Sequence, residues 1–112
     1  MYPSQLLKGT YQTIILKLLK EYNRMYGYEI SQKVKEESAG KILLPEGSLY
    51  PILHKMAEEG LVRMEKVSIG KRVRRYYSLT SSGASEAKHK VEEFDRFVVT
   101  MQQLLAPKFS SQ

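Results

Sequence analysis

The sequence predicts a mainly α-helical α+β fold that contains one small β-hairpin. Two observations lead to this prediction. Apolar residues recur at helical spacing along four segments of the 112-residue chain. Between the third and fourth of these segments, two runs rich in β-branched and aromatic residues flank Gly70. Three helices followed by a hairpin is the element order of a winged helix-turn-helix, to which this chain adds a C-terminal helix.

The first predicted helix runs over residues 6–22. Lysines occupy positions between its apolar residues, which follow the i, i+3, i+4 rule of an amphipathic helix: Leu7, Ile14, Ile15, Leu18, Leu19 and Tyr22. We expect residues 23–25 to form a loop. Ile30 and Val34, four residues apart, then predict a short second helix that ends near Glu37.

The third predicted helix begins at the proline and glycine within residues 45–47 and ends at Gly60, a residue suited to a helix C-terminus. Its inward stripe is Leu49, Ile52, Leu53 and Met56. Pro51 falls in or just after the first turn, where backbone N–H groups largely lack partners within the helix. Residues 61–69 and 73–79 follow as the two strands of the hairpin.

Positive charge is concentrated in the first part of the chain. The net charge is +6, from eighteen Lys and Arg against twelve Asp and Glu. Residues 1–79 carry fourteen of these bases and eight of the acids, whereas residues 80–112 are balanced. Within residues 61–77 six bases face a single acid, Glu65. This segregation favours a polyanionic partner such as DNA over a merely solvated basic surface, because ordinary surfaces mix the two signs.

An α-helix fits the major groove of double-stranded DNA, so the outward face of the third helix matters most. It presents five candidate DNA contacts: Ser48, Tyr50, Pro51, His54 and Lys55. The hairpin adds four more: Lys71, Arg72, Arg74 and Arg75. Since side chains alternate along a strand, Arg74 and Arg75 point to opposite faces, and at most one of them meets DNA from the strand itself. His54 is equally compatible with an ordinary surface histidine.

The last predicted helix is capped by Thr80 or one of the two serines after it, and it ends before Pro107. Its apolar residues are alternately four and three residues apart, which is a heptad pattern: Ala87, Val91, Phe94, Val98, Met101 and Leu105. We interpret this seam as a homodimer interface; the alternative is a helix that folds back on its own domain. The predicted organisation is a DNA-binding domain at 1–79, a dimerisation helix at 80–106 and a disordered tail at 107–112.

Several classes of protein are excluded by what the sequence lacks. Without cysteine the chain can form no disulfide, thiolate zinc site or cysteine nucleophile. His54 and His89 lie on different predicted helices, which argues against a metal site, and no hydrolase, zinc-protease or phosphate-loop motif occurs. We therefore expect that the protein is not an enzyme and that it binds neither a cofactor nor a metal ion. No run approaches the roughly 18 apolar residues of a membrane span, so the cytoplasm is the expected compartment.

Four motifs resemble the PadR-type transcriptional regulators, and together they span nearly the whole chain. Leu-Lys-Gly-Thr at 7–10 resembles part of that family's first helix, and Tyr-Gly-Tyr-Glu-Ile at 26–30 resembles the start of its second. Residues 44–56 resemble its recognition helix, and Arg-Tyr-Tyr-Ser-Leu-Thr at 75–80 resembles the exit of its wing. The single C-terminal helix is similar to that of the family's short subgroup.

The resemblance implies a dimeric repressor that binds a palindromic operator through the third helix and the wing. It also implies that the last helix pairs with the first and last helices of the partner, which defines these dimer residues: Leu7, Ile14, Val91, Phe94, Val98, Met101 and Leu105. Some members sense small aromatic effectors beside an aromatic residue of the last helix, and Phe94 and Phe97 are the candidates here. The chain has no tryptophan, so Phe94 alternatively serves as interface core.

A second class of function remains open, namely a basic adaptor that pairs its helices with another protein. Such an adaptor explains the heptad pattern but not the basic hairpin. It predicts no DNA affinity at physiological salt, whereas the regulator predicts specific binding to an operator.

Overall fold

A computed structural model describes residues 2–108 as five helices and a small antiparallel sheet. The helices are α1 (Ser4–Leu7), α2 (Tyr11–Tyr22), α3 (Gly27–Glu37), α4 (Glu46–Glu58) and α5 (Ser81–Leu105). The strands are β1 (Arg24–Tyr26), β2 (Val62–Ile69) and β3 (Arg72–Leu79). The predicted mainly helical α+β fold is confirmed. Helices α3 and α4 form the helix-turn-helix, and the β2–β3 hairpin forms the wing.

Two predictions for the N-terminal half are wrong. The single helix predicted over residues 6–22 is two helices, because Gly9 adopts a φ of 95° that separates α1 from α2. The loop predicted at residues 23–25 is largely strand β1. This strand pairs antiparallel with β3 so that Met25 lies opposite Tyr77, and the sheet therefore has the order β1-β3-β2. The hairpin is thus widened at its base into a three-stranded sheet.

The hydrophobic core lies between the three middle helices and the base of the sheet. Its largest fully buried side chains are Ile15, Leu16, Leu19, Ile30, Leu44, Leu49, Leu53 and Met56. Burying each such side chain contributes about 1.5–3 kcal/mol relative to leaving it exposed. Among the described residues, Tyr77 is the buried residue with a polar side-chain group, and no charged residue is buried.

Helix α5 is packed most closely at its beginning. Thr80 caps it, because its Oγ1 accepts a hydrogen bond from the Gly83 N–H at 3.0 Å. Gly83 and Ala87 are the buried residues of this helix. The Cα radius of gyration is 16.6 Å, whereas a compact chain of this length has about 13 Å. The distal part of α5 therefore extends away from the rest of the molecule.

The beginning of α5 packs into the core of the predicted DNA-binding domain. Ala87 of α5 belongs to the same core as α2, α3 and α4, so the first turns of α5 complete the winged-helix unit. The boundary placed after residue 79 stays a prediction. The predicted tail at 107–112 falls partly on residues 109–112, which lie outside the described residues.

Candidate nucleic-acid interface and apolar helix face

Helix α4 presents its predicted contact residues to solvent. Its buried residues are Leu49, Leu53 and Met56. This orientation leaves all five predicted DNA contacts of the helix exposed: Ser48, Tyr50, Pro51, His54 and Lys55. His54 Nε2 lies 3.8 Å from a carboxylate oxygen of Glu58, one turn further along. The histidine therefore lies toward the acidic end of α4, whereas the hydroxyl groups lie nearer its beginning.

Tyr50 of α4 lies against the start of α3. A Cβ atom added at Gly27 would be 2.5 Å from the Tyr50 hydroxyl oxygen, so the missing side chain at the start of α3 leaves room for this ring. Burial, followed by the charge of Glu46, raises the pKa of Tyr50, and the positive charge of Arg75 opposes this shift. Tyr50 therefore contacts the start of α3 while its ring remains partly exposed on α4.

The sheet register separates the two strand arginines, as the alternation of side chains predicts. Arg75 pairs with Lys66 and lies two residues from the buried Tyr77, on the same face of β3. Arg74 pairs with Val67 and points to the opposite face. At the wing tip Gly70 adopts a φ of 61°, and the two cations that follow it, Lys71 and Arg72, are exposed.

Arg74 belongs to a cluster of cations and aromatic rings on the face of the sheet away from Tyr77. Its guanidinium carbon lies 4.3 Å from the centroid of the Tyr26 ring. The Tyr26 and Tyr76 rings meet edge to face with centroids 5.4 Å apart. The guanidinium of Arg24 lies 4.2 Å from the Tyr76 centroid and donates to a Glu65 carboxylate oxygen at 3.0 Å. We call these five residues, which come from all three strands, the sheet cluster.

Sequence reasoning missed three members of the sheet cluster, namely Arg24, Tyr26 and Glu65. The alternation of a charged, an apolar and an aromatic residue at 24–26 was the available signal, since it has the two-residue period of a strand. Three residues are too few for this period to be distinguished from a loop. The aromatic contacts further depend on pairing between β1 and β3, which are far apart in the sequence.

A cleft of about 720 Å³ separates α4 from the N-terminal helices. Pro51 and Lys55 of α4 line one side, and Lys8 in the turn after α1 lines the other. Sequence reasoning did not single out Lys8. The cleft thus places a further lysine beside the predicted contact surface of α4.

The distal part of α5 carries an apolar face that the described protomer covers only in part. Within the predicted seam, Val91, Val98 and Met101 are half-buried, whereas Phe94 and Leu105 are 39% and 75% exposed. The neighbouring Phe97 and Leu104 are 55% and 70% exposed. Contiguous exposed apolar surface of this kind is typical of an interaction site.

The two dimer residues predicted outside α5 lie close to Phe94. Leu7 is buried within the protomer and Ile14 is half-buried. Both line a largely apolar cavity of about 410 Å³ that Phe94 borders from α5. A neighbouring groove of about 480 Å³ is lined by Phe94 and Phe97, whose ring centroids are 6.1 Å apart. The structure therefore brings both predicted ligand residues to one apolar region.

The described residues offer no arrangement suited to a metal ion. Between Tyr2 and Lys108 no group of three or more His, Cys, Asp or Glu side chains is placed to hold one. His54 and His89 lie on α4 and α5 respectively. Over the same residues, no helix combines the length and hydropathy needed to cross a membrane.

A winged helix with exposed polar residues on α4, a basic wing and a long helix with an apolar face defines a class of nucleic-acid-binding regulator. The family model described as "Transcriptional regulator PadR-like family" matches residues 15–89. A protein of Lysinibacillus sphaericus is 31% identical over 96 residues, which cover 84% of this chain and 86% of that relative. The chain therefore belongs to the PadR-like family of transcriptional regulators.

Solved structures agree with this assignment. A transcriptional regulator from Clostridium thermocellum has a TM-score of 0.84 and 26% identity, covering 95% of this chain and 100% of that one. PadR of Bacillus subtilis, solved in complex with operator DNA, has a TM-score of 0.68 and 27% identity over 74% of this chain and 47% of its own length. The predicted family and winged-helix fold are both confirmed.

Proposed function

We propose that this protein is a cytoplasmic, sequence-specific repressor that binds a palindromic operator as a homodimer. The observation that carries the proposal is the exposure of polar and cationic groups on both parts of the winged helix: all five predicted contacts of α4 are exposed, and so are the wing cations Lys71, Arg72 and Arg75. Hydroxyl and cationic groups on such a surface can bind base edges and phosphates and need no catalytic group. Family membership and the operator complex of the Bacillus subtilis relative support the same function.

Each part of this surface has a distinct role in the proposal. Ser48 lies in the first turn of α4, where the helix dipole favours a phosphate. Tyr50, Pro51 and Lys55 face the major groove, with His54 at its edge. The wing cations Lys71, Arg72 and Arg75 bind the flanking phosphates, since Arg is favoured for phosphate contact. The role of Arg74 is considered separately below.

The exposed face of α5 supports the dimeric part of the proposal. A twofold-related copy would cover Val98, Met101 and Leu105 and would place both α4 helices on one side of the duplex. Two identical contact surfaces related by a twofold axis require inverted half-sites, hence a palindromic operator. Because Leu7 is already buried in the protomer, we expect Ile14 to supply more of the N-terminal contact.

We further propose that a small aromatic effector binds beside Phe94 and relieves repression. The cavity of about 410 Å³ next to Phe94 lies within the size range of small-molecule sites and is mostly apolar. A ligand between α2 and α5 changes the angle of α5, and with it the spacing of the two α4 helices. Phenols should raise the thermal stability of the protein and release a bound duplex, and Phe94→Ala should lose both effects. Unchanged release by Phe94→Ala would place the effector elsewhere.

The decisive experiment is fluorescence anisotropy of a duplex from upstream of the protein's own gene, compared with a scrambled duplex across a salt series. We expect at least about thousandfold preference for the upstream duplex. Arg72→Ala should reduce the slope of log K against log salt by about 0.9. The control Lys88→Ala, on the exposed side of α5, should leave that slope unchanged. Equal, salt-limited binding to both duplexes would favour the adaptor instead.

A further inference from the structure

We propose that Arg74 is a positioning residue, and that the sheet cluster holds the wing at a set angle to the helix-turn-helix. Arg74 does not itself contact DNA. This inference rests on the proposed function, because it concerns how the wing is presented to the operator. It decides between Arg74 and Arg75, of which the alternation along the strand allows at most one to meet DNA from the strand itself.

The position of the Arg74 side chain argues against a phosphate contact. Its guanidinium carbon lies 4.3 Å from the centre of the Tyr26 ring, within the range of a cation–π interaction. The strand alternation places it on the face opposite Arg75 and Tyr77, and Tyr77 lies in the same buried core as Leu49 of α4. A phosphate contact by Arg74 would require it to leave the ring and reach around the strand.

The contacts of the cluster connect all three strands. Arg74 and Tyr76 of β3 lie against Tyr26 of β1. Arg24 of β1 lies over Tyr76 and donates to Glu65 of β2 at 3.0 Å. The cluster therefore crosses the sheet from one edge to the other and resists any hinge motion of the wing about its base.

The same cluster is joined to the recognition surface through Tyr26. This residue immediately precedes α3, and its backbone N–H donates to the Glu29 carboxylate at 3.0 Å. The next residue, Gly27, lies against the ring of Tyr50 on α4. A change in the position of Tyr26 would consequently displace groups of the wing, of the start of α3 and of α4.

The outer wing has little other support. Beyond the pair Arg74–Val67, only Val73–Ser68 and Arg72–Ile69 remain before the turn. Val73 and Ile69 are 61% and 42% exposed. A two-stranded ribbon without a packed face is marginally stable by itself, so the contact between Arg74 and Tyr26 is the last lateral restraint before the tip.

Arg74→Gln and Arg75→Gln form a matched pair, since each removes one charge from adjacent positions of β3. We expect Arg74→Gln to weaken operator binding two- to fivefold at every salt concentration with an unchanged salt slope. Arg75→Gln should instead reduce the slope by about 0.9, as the loss of one phosphate contact does. Tyr26→Leu, which removes no charge, should reproduce the loss of Arg74→Gln, and the double variant should be no weaker than either single variant.

A second readout needs no DNA. The chain contains no cysteine, so Ser68→Cys provides a single labelling site near the wing tip. Fluorescence anisotropy decay of the labelled protein should show a larger wing motion with Arg74→Gln and no change with Arg75→Gln. This measurement tests whether Arg74 restrains the wing even if the wild-type protein fails to bind an operator, or if Tyr26→Leu fails to fold.

Two results would overturn the inference. One is a salt slope for Arg74→Gln that falls as far as that of Arg75→Gln, which would make Arg74 a phosphate contact. The other is equal wing motion in both variants, which would show that the cluster does not restrain the wing. If the wild type binds no operator but wing motion increases in Arg74→Gln alone, the proposed function is refuted and the positioning role of Arg74 in the sheet cluster stands.

Discussion

Replacing Gly83 by alanine should destabilise the fold by about 2 kcal/mol, although alanine is the better helix former. A Cβ atom at this position would lie 1.9 Å from the carbonyl oxygen of Leu61 and 2.9 Å from its carbonyl carbon. That oxygen accepts the Thr80 N–H at 3.0 Å, and the Thr80 hydroxyl donates to the Gly60 carbonyl at 2.6 Å. The first turn of α5 cannot move away from Leu61 without disturbing this cap.

The magnitude follows from three contributions. Overpacking a buried position costs about 1–3 kcal/mol, and disturbing the N-cap costs about 1 kcal/mol. The helix propensity of alanine offsets about 1 kcal/mol of this. The net loss of about 2 kcal/mol should lower Tm by roughly 8 °C for a domain of this size.

Thermal unfolding followed by circular dichroism measures this loss, at one fixed protein concentration because dimerisation would couple to stability. Gly47→Ala is the control. It also lies in a first helical turn, yet a Cβ atom there would meet nothing within 4 Å, so its stability should be unchanged or slightly higher. If Gly83→Ala were as stable as Gly47→Ala, the close approach of α5 to Leu61 would not be a feature of the folded protein.

Three further predictions concern other parts of the molecule. Gly27→Ala should displace the Tyr50 ring and weaken operator binding in the anisotropy assay while thermal stability changes little, because the new methyl group would lie 2.5 Å from the movable hydroxyl; equal affinity would contradict this. Val98→Glu should weaken the dimer at least about tenfold in analytical ultracentrifugation, whereas Thr100→Glu, on the other side of α5, should not; identical sedimentation would refute the seam. Burial raises the pKa of Tyr77 above its ordinary value of 10.0. As pH rises, the unfolded chain therefore loses the phenolic proton before the folded chain does. The stability that the protonated Tyr77 contributes is complete below the unfolded-state pKa and is lost as pH rises through the folded-state pKa. Above pH 10, the free energy of unfolding measured in urea should therefore decline less steeply with pH for Tyr77→Phe than for the wild type. An equally steep decline would count against the burial of Tyr77.

Most elements could be predicted because their signals are local. The stripe of Leu49, Leu53 and Met56 has the helical period, and all three residues are buried on α4. Thr80 and Gly60 provided capping signals at the ends of their helices, and Gly60 adopts the expected positive φ of 76°. The break at Gly9 was missed because the apolar pattern continues through it, and a pattern does not report one residue's φ.

The predicted contact surface shows a similar division. The sequence placed the cations of the wing and showed that Arg74 and Arg75 must point to opposite faces. The sequence contained no signal to show which of these two faces of β3 lies toward α4. That depended on β3 pairing with β1 as well as with β2, which brings Tyr26 against Arg74 and leaves Arg75 on the face of Tyr77, whose side chain packs in the core with α4.

The amino-acid sequence by itself determined the helical stripes, the basic hairpin and the heptad face of α5, since periodicity and charge are properties of neighbouring residues. Only the tertiary structure decided which wing arginine shares a surface with α4, how the three-stranded sheet is held together and how far α5 extends beyond its domain. These features arise from contacts between residues that are distant in the chain, such as Arg24 with Glu65. Such contacts depend on the fold as a whole, and no local pattern encodes them.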